Sequence, residues 1–381
     1  MSANDELTSR VIRDIAQWEA IRPAWDELYA GNPAASPPLD FVWLRRWWGV
    51  YGETYGPGGL RVVTVWRGTR LIAAAPLYLC ISCERIFGVR SLRFISTGEA
   101  EHEETCPEYL DLLCRTGDEE VGSKAVWAAI EGLTWDCLEL RNLSADAVIL
   151  REGSVPANAT AVTTDTCAIA DLSAGFDAYV ESLSARNRKQ VRKLLREGDH
   201  AGAQFEMVGL DQLPEALDDL IALHGARWAE EGKQGAFASP RFVAFHRGLL
   251  EEWLPSGRAV LARMHLGGAP AAALYGFVTG QKFDFYQSGV RRDVDGVESP
   301  GILGILLLMK ALAERGVTVF DFLGGSAVHK KRMQSREQPM VSLRLWRPTL
   351  RSAAYHSIRG ATRIFRRRAA PPRESPVGAS S

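Results

Sequence analysis

The stretch from Phe283 to Met333 constrains the fold of this chain more than any other part of the sequence. It begins with a strand pattern that leaves through a polar loop, and it continues into the apolar helix pattern "ILGILLLMKALAERG" and the short strand pattern "VTVFDFLGG". In this order of elements, free backbone N–H groups at the helix start can hold a phosphate. The stretch therefore predicts a mixed α/β fold with an anion site at the start of the helix.

The residues at this helix start suit such a site. Pro300 fits the first turn because its missing N–H needs no partner, and the glycines would let a ligand approach the backbone closely. The spacing matches neither a Walker loop nor the dinucleotide-binding G-x-G-x-x-G. An ordinary cap on a buried helix explains the same spacing equally well. The predicted cofactor-binding residues are Ser299, Pro300, Gly301, Ile302, Leu303 and Gly304.

One order of elements occurs twice along the chain. In each half a helix pattern precedes a strand, a glycine-containing turn and another strand, first in "LRVVTVWRGTRLIAAAPLYL" and again in "RAVLARMHLGGAPAAALYGFVTG". The length of 381 residues is also about twice that of a usual domain. We therefore predict two related α/β modules, residues 1–170 and 171–350. A basic tail, residues 351–381, follows and is expected to be disordered from about Ala369.

Composition argues against several classes of protein. The net charge of −1 and the pI of about 6.7 are atypical of a dedicated nucleic-acid binder, so no DNA partner is expected. The longest apolar run, Gly301 to Met309, is too short to span a membrane, and the N-terminus lacks a secretory-signal pattern. Scattered cysteines and solvated acids around His102 favour a cytoplasmic protein with reduced thiols and no metal site.

Four blocks of the sequence resemble one family in their order and spacing. They are "LSARNRKQVRKLLREG", "LHGARWAEEGKQGAF", "FYQSGVRRDVDGVESPGILGILLLMKALAERG" and "FDFLGGSAVHKKRM", and they span about Leu172 to Arg344. These blocks are similar to the CelD/BcsL group of GNAT-type acyltransferases, which is related to the FemAB peptidyl-transferases. The loop before the helix reads "ESPGILG", which matches that group and departs from the general GNAT pattern Q/R-x-x-G-x-G/A.

The resemblance implies a fold of tandem GNAT-like modules, each a mixed sheet flanked by helices. It also implies an N-acetyltransferase that moves an acetyl or other acyl group from acyl-CoA, with acetyl-CoA as the co-substrate, to an amine or a hydroxyl. The implied acceptor is a small molecule or saccharide, such as a polysaccharide or cell-envelope precursor, and the implied partner is the machinery that makes it.

The candidate catalytic residues are those whose side chains could meet the chemical requirements of acyl transfer. Transfer to an amine needs a deprotonated amine, a polarised carbonyl and a proton for the leaving thiolate. Lys330 could polarise the carbonyl, and His329 could act as a base near neutral pH. Asp321, at the end of the short strand, is the third candidate, although it could equally pair with a neighbouring cation. The family usually has a tyrosine where His329 stands, so this residue departs from the pattern.

Four further residues are candidates for substrate binding. Arg188 and Arg192 lie in the basic helix pattern "SLSARNRKQVRKLLREG"; they would bind phosphates if they face the cleft between the modules, and would form a charged surface if they face water. Trp228 could stack on a sugar ring or on adenine. Tyr286 could present its hydroxyl as an acid, and core packing explains both aromatic residues as well.

Two alternative functions stay open from the sequence. The first is a FemAB-like transferase that uses aminoacyl-tRNA, although tRNA is the less favoured partner. The second is a GNAT-like module that binds a polysaccharide synthase or a nucleotide without catalysis.

Overall fold

A computed structural model of the chain describes residues 6–81, 88–325 and 328–358, with the backbone alone at residues 328 and 329. The elements of the first half are β1 (Leu7–Ile12), α1 (Ile15–Ala20), α2 (Arg22–Ala30), α3 (Phe41–Tyr55), β2 (Val62–Arg67), β3 (Arg70–Ala75), β4 (Leu77–Ile81), β5 (Arg90–Phe94), β6 (Leu113–Cys114), α4 (Glu119–Glu131), β7 (Cys137–Ser144) and β8 (Thr160–Asp171). The elements of the second half are α5 (Phe176–Ser182), α6 (Ala185–His200), β9 (Gln204–Met207), α7 (Leu213–Glu230), α8 (Pro240–Trp253), β10 (Ala259–Leu266), β11 (Ala269–Thr279), β12 (Lys282–Val290), α9 (Pro300–Glu314), β13 (Val319–Asp321), α10 (Val328–Met333) and β14 (Arg336–Trp346). The predicted mixed α/β fold is confirmed.

The described strands form two sheets. The smaller sheet has the order β1-β2-β3-β6, and the larger has the order β4-β5-β7-β14-β8-β13-β12-β11-β10-β9. Strand β14 comes from the second half, yet it lies between β7 and β8 of the first half and is antiparallel to both. The larger sheet is therefore hydrogen-bonded continuously across residue 170, and the module boundary at that position stays a prediction.

The second half of the larger sheet is covered on both faces. Along β11, Tyr275 and Phe277 belong to the core that contains α3 and α8, whereas Leu274 belongs to the core that contains α9. Burial on both faces explains the almost continuous apolar sequence of this strand. It also means that a ligand reaches the sheet only where strands or helices separate.

Such a separation occurs between β12 and β13. These parallel strands are paired over three residues each, and their last pair is Asp284 with Asp321. Beyond that pair β12 continues to Val290, with a bulge opposite Tyr275 and Gly276, while β13 has ended. We call the opening beyond Asp284 and Asp321 the strand split. Ligands of open α/β sheets bind at this carboxyl end of the strands.

The segment after β14 begins with a helix. Residues 350–358 are helical, and Tyr355 stacks on Trp346 with ring centroids 5.0 Å apart. The part predicted to be disordered, from Ala369, lies outside the described residues. In the ranges that the structure describes, no helix has the length and apolar character needed to cross a membrane.

Candidate functional site

A groove of about 390 Å³ lies at the start of α9. Its walls come from the end of β12, from the loop that follows and from α7, and it is lined by Arg227, Ser288, Val290, Arg292, Glu298, Ser299, Pro300, Gly301, Ile302 and Ile305. We call this the α9 groove. The first N–H groups of a helix have no partner within the helix, and two arginines face the same groove. These groups favour an anion in the groove, although Glu298 also lines it and Arg292 is paired with Glu230 at 3.1 Å.

Four of the six predicted cofactor-binding residues line the α9 groove: Ser299, Pro300, Gly301 and Ile302. The other two face the sheet and the neighbouring helix. Leu303 is fully buried, and a Cβ added at Gly304 would lie 3.2 Å from the Cβ of Ala272. Gly301 is also close to β12, because an added Cβ would lie 3.0 Å from Val290. The glycines thus let α9 pack closely on the sheet, and Leu303 and Gly304 are core residues.

The basic helix is α6, and Arg188 and Arg192 lie on its side facing α5, away from the α9 groove. Arg188 donates to the carbonyl of Glu181 at 2.6 Å, and Arg192 forms an ion pair with the Glu181 carboxylate. The side chain of Arg192 is 53% exposed. Arg188 and Arg192 therefore contact α5 and do not line the α9 groove, and the substrate-binding role predicted for them stays a prediction.

Arginines other than Arg188 and Arg192 lie near the start of α9. A second groove, of about 220 Å³, lies between α6 and the start of α9, and Arg186 and Arg332 line it together with Ser299 and Ile302. Because Ser299 and Ile302 line both grooves, the two are adjacent. Four arginines, Arg186, Arg227, Arg292 and Arg332, therefore surround the start of α9.

A loop of the first half covers the strand split. Its residues Cys106, Glu108 and Tyr109 line a narrow cavity together with Asp284, Tyr286 and Leu323 of the second half. We call these six residues the interface cleft. Cys106, Tyr109 and Leu323 have φ values of 41°, 59° and 57°, in the left-handed region that non-glycine residues rarely adopt. Backbone strain of this kind gathers at functional sites, since surrounding contacts must hold each residue in place.

A buried charge cluster lies under this loop. The amine of Lys282 is 2.7 Å from Asp284 Oδ1 and 2.9 Å from Asp321 Oδ2. The hydroxyl of Tyr109 donates to Asp321 Oδ2 at 2.6 Å, and the same Lys282 amine lies 4.0 Å from the centre of the Tyr109 ring. Burial raises the pKa of the Asp284 carboxyl to about 6, even though Lys282 opposes that effect. Asp321 is thus held by both halves of the protein.

Lys330 and Glu108 both contact the turn that follows β13. The Lys330 amine donates to the carbonyls of Leu323, at 3.3 Å, and Gly324. Glu108 Oε1 accepts from the Gly324 N–H at 3.4 Å. Burial lowers the pKa of Lys330, and burial together with Asp321 raises the pKa of Glu108 to about 8. Asp321, at the end of β13, and Lys330, bound to the turn two and three residues further on, are therefore close to each other.

The two predicted aromatic residues have different surroundings. The Tyr286 hydroxyl donates to the carbonyl of Thr105 at 2.5 Å and lies 3.1 Å from His246 Nε2, so Tyr286 belongs to the interface cleft. The Trp228 indole donates to His224 Nε2 at 2.9 Å. Burial lowers the pKa of His224 to about 4, which agrees with a neutral histidine on the apolar side of α7. The contacts of Trp228 are those of ordinary packing.

The side chain of His329 lies outside the described residues, so its predicted catalytic role stays a prediction. Among the side chains that are described, no three of His, Cys, Asp and Glu are grouped so as to hold a metal ion.

Sequence reasoning missed Lys282, Asp284, Glu108 and Tyr109. The first two had a readable signal, because Lys282 and Asp284 alternate with the buried Phe283 and Phe285 on one strand. No sequence pattern around Glu108 and Tyr109 indicated their position. The hydrogen bond from Tyr109 to Asp321 joins residues that are 212 positions apart.

A family model described as an acetyltransferase (GNAT) domain matches residues 185–331. This part of the chain holds the α9 groove, the strand split and Lys330. The chain therefore contains a GNAT domain, which supports an acyltransferase. Its more specific assignment to the CelD/BcsL group stays a prediction. No curated protein matches the sequence significantly.

Solved structures share the fold over most of the chain. FemX is similar over 92% of this chain and 99% of its own, with 11% identity and a TM-score of 0.60. A conserved protein of unknown function from Bacteroides thetaiotaomicron VPI-5482 is similar over 89% of this chain and 100% of its own, with 11% identity and a TM-score of 0.52. A C-terminal domain assigned to a lysylphosphatidylglycerol synthetase of Agrobacterium fabrum is similar over 84% and 96%, with 16% identity and a TM-score of 0.50. At these identities the likeness concerns the fold.

Proposed function

We propose that this protein is an acyltransferase that takes an acyl group from acyl-CoA, with acetyl-CoA as the first donor to test. The observation that carries the proposal is the α9 groove, where a helix start and two arginines, Arg227 and Arg292, face one cavity. Backbone N–H groups at a helix start and arginine side chains are the usual ligands of phosphate. The diphosphate of the donor would bind there.

Strand β12 connects the groove to the reaction centre. Ser288 lines the α9 groove, and Asp284, four residues earlier on the same strand, lies at the split. Four residues of strand span about 13 Å. An extended pantetheine arm can follow β12 over this distance, and the thioester would then lie beside Asp321 and Lys330.

Lys330 would stabilise the negative charge that develops on the thioester oxygen. Its amine is held by the carbonyls of Leu323 and Gly324, in the turn that directly follows β13. A positioned cation in a buried site stabilises a developing oxyanion more strongly than the same cation in water. Asp321 would act by positioning, because it fixes both Tyr109 and Lys282.

Calorimetric titration with acetyl-CoA tests the donor site. We expect Arg227→Gln and Arg292→Gln each to weaken binding about tenfold or more, since a hydrogen bond to a charged group contributes about 1.5–3 kcal/mol. Arg188→Gln and Arg192→Gln are matched controls, because they remove the same charge on the far side of α6. Wild-type protein that does not bind acetyl-CoA would refute the proposal, and equal weakening by all four substitutions would refute the assignment of the groove.

An aminoacyl-tRNA-dependent transferase is the second candidate. It is supported by the likeness to FemX over 92% of the chain and by the additional groove lined by Arg186 and Arg332, which offers more cations than one diphosphate needs. Thermal shifts with acetyl-CoA, CoA and bulk tRNA separate the candidates. Stabilisation by tRNA alone would favour the second one. A polysaccharide or cell-envelope acceptor, and acetyl as the group transferred, stay predictions that the family resemblance supports.

A further inference from the structure

We propose that a groove over the centre of the larger sheet is a second anion-binding site, where Arg141 and Arg344 bind the phosphate group of a small phosphate monoester. The groove lies where β7, β14 and β8 are adjacent, and its volume is about 740 Å³. We call it the sheet groove. The residues that line it differ from those that line the α9 groove. Such a site is separate from the proposed acyltransferase activity and goes beyond it.

The sheet groove is open to solvent on one face of three neighbouring strands. Thr160, Val162 and Thr164 of β8 line the groove and are exposed. On β14, Arg344 lies opposite Thr160 of β8 and opposite Glu139 of β7. Side chains at alternate positions of a strand point to the same face of the sheet. A ligand in the groove can therefore contact side chains from β7, β14 and β8 together.

Glu139 holds the two arginines next to each other. Nitrogen atoms of Arg141 and Arg344 lie 3.0 Å and 2.5 Å from the same carboxylate oxygen of Glu139. Arg93 donates to the other oxygen at 2.9 Å. Burial alone would raise the pKa of Glu139, but the three arginines bring it down to about 2. The carboxylate is therefore charged near neutral pH, and it fixes both guanidinium groups at one place in the groove.

Both arginines keep N–H groups that a ligand can use. The side chain of Arg141 is 41% exposed and that of Arg344 is 48% exposed, whereas that of Glu139 is 2% exposed. Among the described residues, the side-chain hydrogen bonds of both arginines go to Glu139 alone. A guanidinium group has five N–H donors in one plane. Two adjacent guanidinium groups with free donors match the oxygen atoms of a phosphate or a carboxylate.

The charges in the sheet groove favour a phosphate monoester over a carboxylate. Two carboxyl groups line the groove, those of Glu104 and Glu139, and three arginines meet at Glu139. Positive charge is therefore in excess even when both carboxyl groups are ionised. A phosphate monoester carries about 1.5 to 2 negative charges near pH 7, and a carboxylate carries one. The ligand with the larger charge is stabilised more by this excess.

The rest of the lining suits a carrier that has hydroxyl groups. Amide and hydroxyl side chains line the groove beside the arginines: Asn142, Asn158, Thr160, Thr164 and Ser342. Such side chains both donate and accept hydrogen bonds, as the hydroxyl groups of a ligand do. Asn142 has a φ of 59°, in the left-handed region, and backbone strain of this kind gathers at functional sites. The volume of the groove is within the range of small-molecule sites.

The test is calorimetric titration of the full-length protein with glucose 6-phosphate, glucuronate, glucose and inorganic phosphate. The first three probes share one ring and differ in the group on a single carbon, which is a phosphate ester, a carboxylate or a hydroxyl. We expect glucose 6-phosphate to bind. Glucuronate and inorganic phosphate should bind about tenfold more weakly or less, and glucose should not bind measurably.

Three variants and one control locate the binding. Arg141→Gln and Arg344→Gln should each weaken the binding of glucose 6-phosphate about tenfold or more, because each removes hydrogen bonds to a charged group. Val162→Glu should weaken it as well, since Val162 is 55% exposed in the groove and the new carboxylate would repel the phosphate without removing an arginine. Arg70→Gln is the control, because Arg70 is 60% exposed on β3 of the smaller sheet, and it should bind as the wild type does.

Several results would overturn the phosphate monoester site. They are a wild-type protein that does not bind glucose 6-phosphate, equal affinity for glucuronate, and an affinity that Arg141→Gln and Arg344→Gln leave unchanged. Inorganic phosphate that binds as tightly as glucose 6-phosphate would overturn the contacts proposed for the carrier.

Titration of the same variants with acetyl-CoA separates this site from the donor site, because CoA also carries a phosphate monoester. Arg344→Gln should leave the affinity for acetyl-CoA unchanged. If Arg344→Gln weakens acetyl-CoA binding and Arg227→Gln does not, the sheet groove holds the donor, and both assignments are wrong. If acetyl-CoA does not bind while glucose 6-phosphate binding depends on both arginines, the proposed function is wrong and the second site stands.

Discussion

The raised pKa of Glu108 predicts how the stability of the whole protein depends on pH. A carboxyl group whose pKa is raised by folding binds a proton more tightly in the native state, so stability falls as the pH rises between its ordinary pKa and its folded pKa. For Glu108 these limits are 4.5 and about 8. At about 1.4 kcal/mol per pKa unit the full effect has a ceiling of about 5 kcal/mol. Because Glu108 is partly accessible to water, we expect about 2–3 kcal/mol.

Glu108→Gln isolates this effect, since glutamine has nearly the same shape and does not titrate. Urea unfolding, followed by tryptophan fluorescence at pH 4, 6 and 9, should give similar free energies for the two proteins at pH 4, below the ordinary pKa of the carboxyl, and part of the difference at pH 6. At pH 9 the variant should be more stable by about 2–3 kcal/mol. Glu101→Gln, at an exposed position of the same loop, is the control and should follow the wild type. If the free energy of unfolding changes with pH in the same way for the wild type and Glu108→Gln, the raised pKa assigned to the Glu108 carboxyl is wrong.

Three further predictions concern packing and charge. Gly289→Ala places a Cβ 2.6 Å from Leu223 Cβ and 2.7 Å from the His224 nitrogen, and should lower the free energy of unfolding by about 1–3 kcal/mol in urea. Gly225→Ala, also at α7 but facing open space, should raise it by up to about 1 kcal/mol, and the reverse order would contradict the close approach of β12 to α7. Tyr109→Phe removes the hydrogen bond to Asp321 and should cost about 1.5–3 kcal/mol; a calorimetric change below about 0.5 kcal/mol would argue against that contact. Burial alone would raise the pKa of Asp136, but hydrogen bonds from Arg90 and Thr349 bring it down to about 2, so its stabilisation is complete above pH 4 and lost as the pH falls toward 2. Asp136→Asn should therefore remove about 2 kcal/mol at pH 7 and less at pH 2, and an equal loss at both values would contradict the lowered pKa.

The sequence predicted the parts of the site that are local along the chain. Ser299 and Pro300 at the start of α9 could be found because a strand, a loop and an apolar helix follow one another within about 30 residues. The same reasoning also assigned Leu303 and Gly304 to the cofactor-binding residues, although both pack inside the protein. In sequence, a glycine that lets a helix approach a sheet cannot be distinguished from one that lets a ligand approach a helix.

The parts that depend on tertiary contacts could not be predicted. The direction of Arg188 and Arg192 is decided by Glu181 on a neighbouring helix, and a helical pattern shows which residues share a side without showing what that side meets. Glu108 and Tyr109 reach the split through a loop of the other half, and a loop has no periodicity to read.

The position of β14 has a consequence for how this protein is made. Strands β7 and β8 leave the ribosome well before their shared partner, because β8 ends at Asp171 and β14 begins at Arg336. Until then each has an edge with unpaired N–H and C=O groups, the kind of surface that pairs with other chains. Pairing across so many residues is also slow, since a long loop must close first. The centre of the larger sheet therefore cannot be completed before β14 has been synthesised, and until then β7 and β8 lack the partner that lies between them in the folded protein.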